Sequence, residues 1–310
     1  IIFLVLTGDL MHSIVPTVPD GFWTLLAGIL LTPVIVLTQT FGEVKWTSYL
    51  ASGSTMVVAI VSIILPMIFY TSDDYFITSR ENGMYHDPVK WDTIAIGFNI
   101  FLFAYGSIPV FPNYWVELKD KKDWDMTVIV GFTTVSLMYF PVAAIGYFTY
   151  GHNLNSPHVD NLLDSIKMFS KYKVVVDICN GLLVVHLMSA FPIFMTALAS
   201  FLEHQTGLSN TFYKRGMTRV ILMILFVIVG LGLPYFLPLM SLLTATFGVP
   251  GLFIFPVLFH WKIASKNISI FRCVLHTLVI ALGVVAMVIG TWQGFEGLIR
   301  AVKSNPNPFA

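Results

Sequence analysis

The sequence predicts an all-α, polytopic membrane protein, and three properties of its 310 residues lead to that prediction. Charged residues make up only 11% of the chain, whereas a soluble domain carries about a quarter. The mean hydropathy is +0.79. Apolar runs recur along the chain at lengths that suit a bilayer. The formal net charge is zero, so no nucleic-acid partner is expected.

The apolar runs predict the membrane helices one by one. A helix needs roughly 20 apolar residues to cross the hydrocarbon, and this length predicts about nine segments. Membrane strands alternate apolar and polar residues, whereas residues 57–69 are apolar on every face, so the segments are helices. We divide 220–261 at Pro234 and Pro238, because proline cannot continue a helix smoothly. The predicted segments are 1–15, 22–38, 50–70, 94–115, 126–150, 174–202, 220–233, 239–261 and 271–292.

The loop charges predict the orientation in the membrane. Alternate loops assign ten of the 17 Lys and Arg residues to one side and seven to the other. Positively charged loops resist translocation, so the side with ten is predicted to be cytosolic. The C-terminus is then expected to face away from the cytosol. The ten residues are Lys45, Lys119, Lys121, Lys122, Lys214, Arg215, Arg219, Lys262, Lys266 and Arg272.

The composition of one predicted helix, over about 94–116, predicts that this helix is interrupted. Gly106 is flexible, and Pro109 and Pro112 remove amide donors from the helical ladder. Peptide groups freed in hydrocarbon each cost several kcal/mol unless something binds them. Transporters use such interruptions to bind substrates or ions, whereas a plain proline kink would only shape packing. Under the first interpretation the candidate substrate-binding residues are Phe103, Ala104, Tyr105, Gly106 and Ser107.

A series of short motifs begins in this helix, with Phe-Ala-Tyr-Gly at 103–106 and Val-Phe-Pro at 110–112. It continues through Tyr-Phe-Pro at 139–141, Ile-Gly-Tyr-Phe-Thr-Tyr-Gly at 145–151, Phe-Pro at 191–192 and Phe-Pro at 255–256. In these motifs the chain resembles the amino acid/auxin permease family, including its vesicular or vacuolar and proton-coupled branches. One departure is clear: many relatives have Gly-Gly-His-Ser after the tyrosine, where this chain has Gly-Ser-Ile-Pro at 106–109. The backbone geometry can therefore be carried over, but a particular substrate cannot.

The resemblance implies a LeuT-like bundle of eleven helices in two inverted five-helix repeats. The interrupted helix would be the sixth, yet only three apolar segments precede it. The chain also opens within a hydrophobic run, Ile1 to Leu6, without a basic region before it. We therefore expect that the family's first two helices are missing and that about nine of eleven are present. Residues 1–310 are expected to form a single transmembrane transporter domain, because no linker divides them.

A polar stripe marks the predicted helix 174–202. His186, Ser189, Thr196 and Ser200 lie within about one quadrant of its surface. Polar groups inside a membrane generally face the bundle interior or an aqueous pathway. We therefore predict that His186, Ser189 and Thr196 serve ion coupling or the pathway, with His186 able to exchange protons near neutral pH. The alternative is a packing histidine with hydroxyls bonded to the helix backbone.

Three further charged or titratable residues are candidates for a vestibule or gate. Asp9 and His12 are three residues apart and share one helix face, either as an ion pair in the outer vestibule or as an interfacial pair. Glu117 ends the interrupted helix and is a candidate inner gate through Lys119 or Lys121.

These features together predict a secondary transporter of amino acids or related small solutes. The resemblance implies a co-transported H+ or Na+ and no other cofactor. Membrane lipid is an expected partner, and the oligomeric state is left open. Sequence motifs for an intramembrane hydrolase are absent, so no enzyme is predicted. The alternative is an amino acid sensor on a transporter fold that binds without transporting. The plasma membrane and a vesicular, lysosomal or vacuolar membrane are all compatible with the sequence.

Overall fold

The computed structural model describes residues 1–38, 45–75, 86, 94–155, 161–169, 171–207, 211–264 and 269–304. All regular structure within these ranges is helical. The described α-helices are α1 (Ile2–Ile14), α2 (Asp20–Leu37), α3 (Lys45–Tyr70), α4 (Ile94–Ala104), α5 (Phe111–Glu117), α6 (Trp124–Tyr150), α7 (Leu162–Phe169), α8 (Lys173–Gln205), α9 (Phe212–Gly232), α10 (Phe236–Leu243), α11 (Phe255–Ile263) and α12 (Ile270–Ser304).

Seven helical stretches in the described ranges are long and apolar enough to cross a membrane. Two shorter apolar helices, α1 and α4, accompany them. The chain is therefore a multi-pass, all-helical membrane protein, as its composition predicts. The seven stretches are Asp20–Leu37, Trp46–Tyr70, Lys121–Tyr150, Lys173–Gln205, Phe212–Gly232, Phe236–Ile263 and Ile270–Lys303.

The predicted division of residues 220–261 is confirmed at one proline and wrong at the other. Helix α9 ends at Gly232 and α10 begins at Phe236, so Pro234 lies between them. Pro238 does not precede α10, because it is the third residue of that helix. Amides of the first helical turn have no intrahelical acceptor, so proline is tolerated there.

The stretch from α10 to α11 contains a widened helix. Two π-helical segments, Thr244–Gly248 and Pro250–Ile254, connect α10 to α11. A π-helix bonds each amide to the carbonyl five residues back and commonly occurs at functional sites. The widened segment packs against α4 and α12.

Helices α1, α2, α8 and α9 form the main apolar core, which we call the four-helix unit. Residues from all four helices are buried together, with α1 against both α2 and α8, and α9 against α2. Gly28 permits the close approach of α2 and α9, since a Cβ at this position would lie 2.4 Å from the Val227 side chain. The buried residues are Leu4, Ala27, Leu31, Ile35, Phe191, Met195, Met223 and Val227.

Two smaller cores complete the packing. The first joins α3, α7 and α8 through Leu65, Ile166 and Val176. Helix α7 lies in the connection between α6 and α8, so this connection contributes buried surface. The second small core joins Leu102 of α4 to Val249 beside the π-helical segments. Helix α4, the first half of the interrupted helix, thus packs beside the π-helical segments.

Candidate functional site

The helix predicted over 94–115 is interrupted in its middle. Helix α4 ends at Ala104, and residues 105–107 form turns. A short 3₁₀ helix, Ile108–Val110, then leads into α5. The prolines explain this geometry, since Pro109 and Pro112 have no amide hydrogen to donate to the carbonyls four residues before them.

Turn hydrogen bonds replace the α-helical pattern across the interruption. The Gly106 amide donates to the Phe103 carbonyl at 3.0 Å, whereas a continuous α-helix would use Leu102. The Ser107 amide donates to the Tyr105 carbonyl at 2.8 Å. That carbonyl is the one that Pro109 deprives of its helical donor. The Tyr105 amide still donates to the Phe101 carbonyl at 3.2 Å, so the amides of Gly106 and Ser107 are the ones that have left the helical ladder. Substrate-binding helices of transporters share this kind of interruption.

Gly106 is required by this backbone conformation. A Cβ at position 106 would lie 2.9 Å from the Phe103 carbonyl oxygen, which is a backbone atom and cannot rotate away. Gly97 provides the contrast, because a Cβ at this position in the regular part of α4 would meet nothing within 4 Å. A side chain is thus tolerated at 97 and excluded at 106.

The Tyr105 side chain is held by α6. Its ring stacks on Phe132 with centroids 5.8 Å apart and meets Tyr139 edge-on at 5.7 Å. Its hydroxyl is 2.9 Å from the hydroxyl of Ser136. These contacts fix the interrupted segment to α6 and occupy the Tyr105 ring.

Helix α1 connects the interruption to α8. The Phe3 ring meets Phe103 edge-on at 6.4 Å and Phe194 edge-on at 5.5 Å. Phe194 lies two residues before Thr196 of the predicted polar stripe. Of the other candidate residues here, Ala104 is exposed and Ser107 is half-buried. The structure thus brings the candidate substrate segment near α8 through an aromatic contact.

The polar stripe on α8 divides into two environments. Ser189 and Thr196 are buried, and Ser200 is half-buried. The Thr196 hydroxyl has no hydrogen-bond partner in the part of the chain that the structure describes. A buried hydroxyl without a partner is costly and is available to an ion, a water molecule or another polar ligand.

His186 instead faces α3. Its Nδ1 lies 2.6 Å from the Thr55 hydroxyl and 3.0 Å from the Ala51 carbonyl. The His186 ring is half-buried and ties α8 to α3, as expected for a packing histidine.

The vestibule and gate candidates lie at helix ends. The His12 Nδ1 is 2.8 Å from the Val18 carbonyl, while Asp9 is half-buried one turn earlier. Glu117 is exposed at the end of α5. Lys121, its proposed gate partner, donates to the carbonyls of Trp115, Val116 and Leu118 at 2.5–2.8 Å. This lysine therefore caps the C-terminus of α5.

Sequence reasoning missed one buried ion pair, between Glu203 of α8 and Arg219 of α9. Their side chains are only 4% and 2% exposed, and Nε of the arginine lies 2.8 Å from the carboxylate. The arginine also donates to the carbonyls of Ile35, at 2.8 Å, and Thr38. The only sequence signal was a pair of opposite charges at facing helix ends, and we counted Arg219 among the loop charges.

A second missed feature is a small polar cluster beside α4. Asn99 of α4 donates to the Ser241 hydroxyl of α10 at 3.5 Å, and both residues are buried. Asn99 was missed because it stands alone in an apolar run.

Comparison with known proteins identifies the family. The family model described as transmembrane amino acid transporter protein matches residues 1–296, which is nearly the whole chain. The chain belongs to this family. Its relatives are named as transporters, and a transmembrane amino acid transporter of this family is not an enzyme. No solved structure matches the chain.

The relatives of this chain have low sequence identity to it, but their alignments extend over almost all of its residues. Amino acid transporter AVT1J of Arabidopsis thaliana is 26% identical over 305 residues, covering 96% of this chain and 69% of AVT1J. AVT1B of the same plant is 24% identical, covering 97% of this chain and 55% of AVT1B. The vesicular GABA transporter of Caenorhabditis elegans is 24% identical, covering 98% of this chain and 62% of that protein. The chain thus spans about half to two-thirds of these relatives' lengths.

Proposed function

We propose that this chain forms the membrane core of a secondary transporter that carries amino acids or related small solutes, coupled to H+ or Na+. The single observation that carries the proposal is the interrupted helix between Ala104 and Ile108 in a chain of this family. Peptide groups outside the helical ladder need partners inside a membrane, and a zwitterionic amino acid can bind both amides and carbonyls. The proposed substrate segment is the backbone of residues 103–107.

The proposed fold is the LeuT-like arrangement of inverted repeats. In this arrangement a bundle that contains the interrupted helix moves against a scaffold. The four-helix unit fits the scaffold, because one continuous core joins α1, α2, α8 and α9. The contacts of Tyr105 with α6 support a moving unit in which α4, α5 and α6 travel together.

Ion coupling is proposed for the buried hydroxyls of α8. Thr196 has an unpartnered hydroxyl, and Ser189 lies on the same face two turns earlier. Oxygen ligands suit Na+, whereas His186 would serve a proton. Measuring uptake by the full-length protein against pH, with and without sodium, distinguishes the two ions. Uptake that rises with acidification in the absence of sodium would assign the coupling to H+.

A matched pair of glycine variants tests the substrate segment. Gly106→Val places a side chain against the Phe103 carbonyl, whereas Gly97→Val adds the same side chain to open space on the same helix. In proteoliposomes that contain the purified protein, we expect at least a tenfold lower uptake for Gly106→Val and near-normal uptake for Gly97→Val. Equal uptake by both variants would remove the substrate site from this helix. Elution profiles on size exclusion control for folding.

The cargo is proposed from the relatives, which are named as amino acid and vesicular GABA transporters. Neutral α-amino acids and GABA are therefore the first substrates to test. Both a vesicular or vacuolar membrane and the plasma membrane fit this proposal.

A sensor that binds an amino acid without moving it is the second candidate function. Counterflow separates the two, because a transporter exchanges external labelled substrate for internal unlabelled substrate and a sensor does not. Saturable binding without counterflow would favour the sensor and contradict transport.

A further inference from the structure

Three uncharged polar side chains are buried in the apolar packing of α4, α10 and the first π-helical segment. Asn99 is 0% exposed, Ser241 is 2% exposed and Thr244 is 4% exposed. Ser241 and Thr244 are one helical turn apart, and Ser241 contacts the Asn99 amide. We call these three residues the Asn99 cluster. None of them belongs to the substrate segment or to the α8 stripe.

Two oxygens of the Asn99 cluster lack protein partners among the described residues. They are Oδ1 of Asn99 and the hydroxyl oxygen of Thr244. The remaining contact is weak, since Nδ2 of Asn99 and the Ser241 hydroxyl are 3.5 Å apart. Thr246, two residues further on, has the hydrogen bond that a threonine in a helix commonly makes: its hydroxyl donates to the Leu242 carbonyl at 2.7 Å. Buried polar atoms without partners are costly, so a bound species is expected to satisfy them.

The backbone around the cluster is arranged to keep Asn99 in place. A Cβ at Gly290 of α12 would lie 2.1 Å from Nδ2 of Asn99, so the amide occupies space that only glycine leaves open. One turn further, a Cβ at Gly294 would lie 2.8 Å from the Leu242 backbone. Thr244 is the first residue of the π-helical segment, where the hydrogen-bond pattern changes. Close packing of α12 thus holds the Asn99 amide and the α10 backbone beside it in place.

The chemistry of these groups selects the ligand. Amide and hydroxyl oxygens are neutral, hard ligands of the type that replaces the hydration shell of monovalent cations. Divalent cations prefer sites with carboxylates, and the cluster contains none. None of the three side chains can take up a proton in the physiological range, so the cluster is not a proton site. We propose that Asn99, Ser241 and Thr244 bind a sodium ion.

The position of this site gives the ion a role in transport. Asn99 precedes the end of α4 by five residues, which is about 7 Å along the helix axis. An ion that joins Asn99 to α10 would therefore bias the orientation of the half-helix that carries residues 103–107. This role depends on the proposed transport function, but ion binding itself does not.

Isosteric variants test the proposal without depending on transport. Thr244→Val removes a hydroxyl that bonds to no described residue and keeps the shape, so stability in sodium-free buffer should not change. Thr246→Val is the matched control in the same segment. The purified full-length protein is melted in sodium chloride and in N-methyl-D-glucamine chloride at equal ionic strength, and binding of radioactive ²²Na+ is measured in parallel. Ser241→Ala and Asn99→Ala provide further variants if Thr244→Val is unstable.

The expected results differ clearly between the variants. For wild type and Thr246→Val, sodium at a hundredfold excess over Kd should raise Tm by about 4 °C. For Thr244→Val this rise should become smaller, and the affinity of the Asn99 cluster for ²²Na+ should fall at least tenfold. An unchanged sodium response in Thr244→Val and Asn99→Ala would overturn the proposal, and so would loss of all sodium binding in Thr196→Val alone. Sodium binding without any amino acid transport would leave this site intact and refute the proposed function.

Discussion

Replacing Arg219 by methionine should destabilise the protein more than any other single loss of charge in its described part. The guanidinium is 2% exposed and binds the Glu203 carboxylate, with Nε 2.8 Å from Oε1 and Nη2 3.4 Å from Oε2. It also binds the carbonyls of Ile35 and Thr38 at the C-terminus of α2. Helix C-termini favour cations. One side chain therefore joins α2, α8 and α9 at one end of the four-helix unit.

The magnitude follows from what Arg219→Met leaves behind. Removing one partner of a buried ion pair costs about 3–5 kcal/mol, because the other charge remains buried without compensation. A chain of 310 residues has an unfolding entropy of roughly 0.65 kcal/mol/K. A loss of about 4 kcal/mol therefore lowers Tm by about 6 °C. Thermal unfolding of the purified protein in detergent, followed by intrinsic fluorescence, measures this shift.

Control variants make the Arg219 experiment specific. Lys214→Met removes an exposed charge from the start of the same helix, and Tm should change by less than about 1 °C. The double variant Glu203→Met with Arg219→Met removes both charges and should recover part of the loss. Equal Tm values for wild type and Arg219→Met would refute the claim that this pair stabilises the fold.

Three further predictions concern local contacts. Tyr105→Phe keeps the ring on α6 but loses the contact with the Ser136 hydroxyl, so chemical denaturation should show a loss of about 1 kcal/mol. Gly28→Val overpacks the contact with Val227 and should lower the free energy of unfolding by about 1–3 kcal/mol in the same assay. Adding Val227→Ala should restore part of that stability, whereas additive losses from the two changes would contradict the assigned contact. Lys121→Met removes the cap of α5, so the backbone amides of α5 should exchange with deuterium roughly tenfold faster. Hydrogen-exchange mass spectrometry measures these rates, and unchanged exchange would contradict the capping role.

The membrane helices were predictable because each depends on local composition. A run of apolar residues must be buried in lipid or protein whatever its neighbours are, so its extent can be read from the sequence alone. The turns at residues 105–107 follow from Pro109 for the same reason, since the missing amide hydrogen is a property of that residue. The π-helical segments after Leu243 were not predictable, because nothing in their local composition distinguishes them from an α-helix.

Residue partners were harder to predict than residue positions. The α8 stripe was expected to share one environment, yet His186 and Thr196 differ by about 80° around the helix, which is enough for His186 to reach α3. Arg219 and Glu203 are 16 residues apart, and their burial depends on where α2 ends. Such contacts arise from the tertiary packing of several helices and leave no periodic signal in one sequence.

Helix α12 has a practical consequence for measuring this protein in membranes. Its 35 residues give a rod of about 52 Å, whereas the hydrocarbon layer is about 30 Å thick. Its final turns carry the exposed pair Glu296 and Arg300, so we expect these turns to extend beyond the apolar layer. A fluorophore attached at residue 303 would then sit at a nearly constant height above the lipid headgroups. Energy transfer from it to labelled lipids would report the tilt of this rod directly.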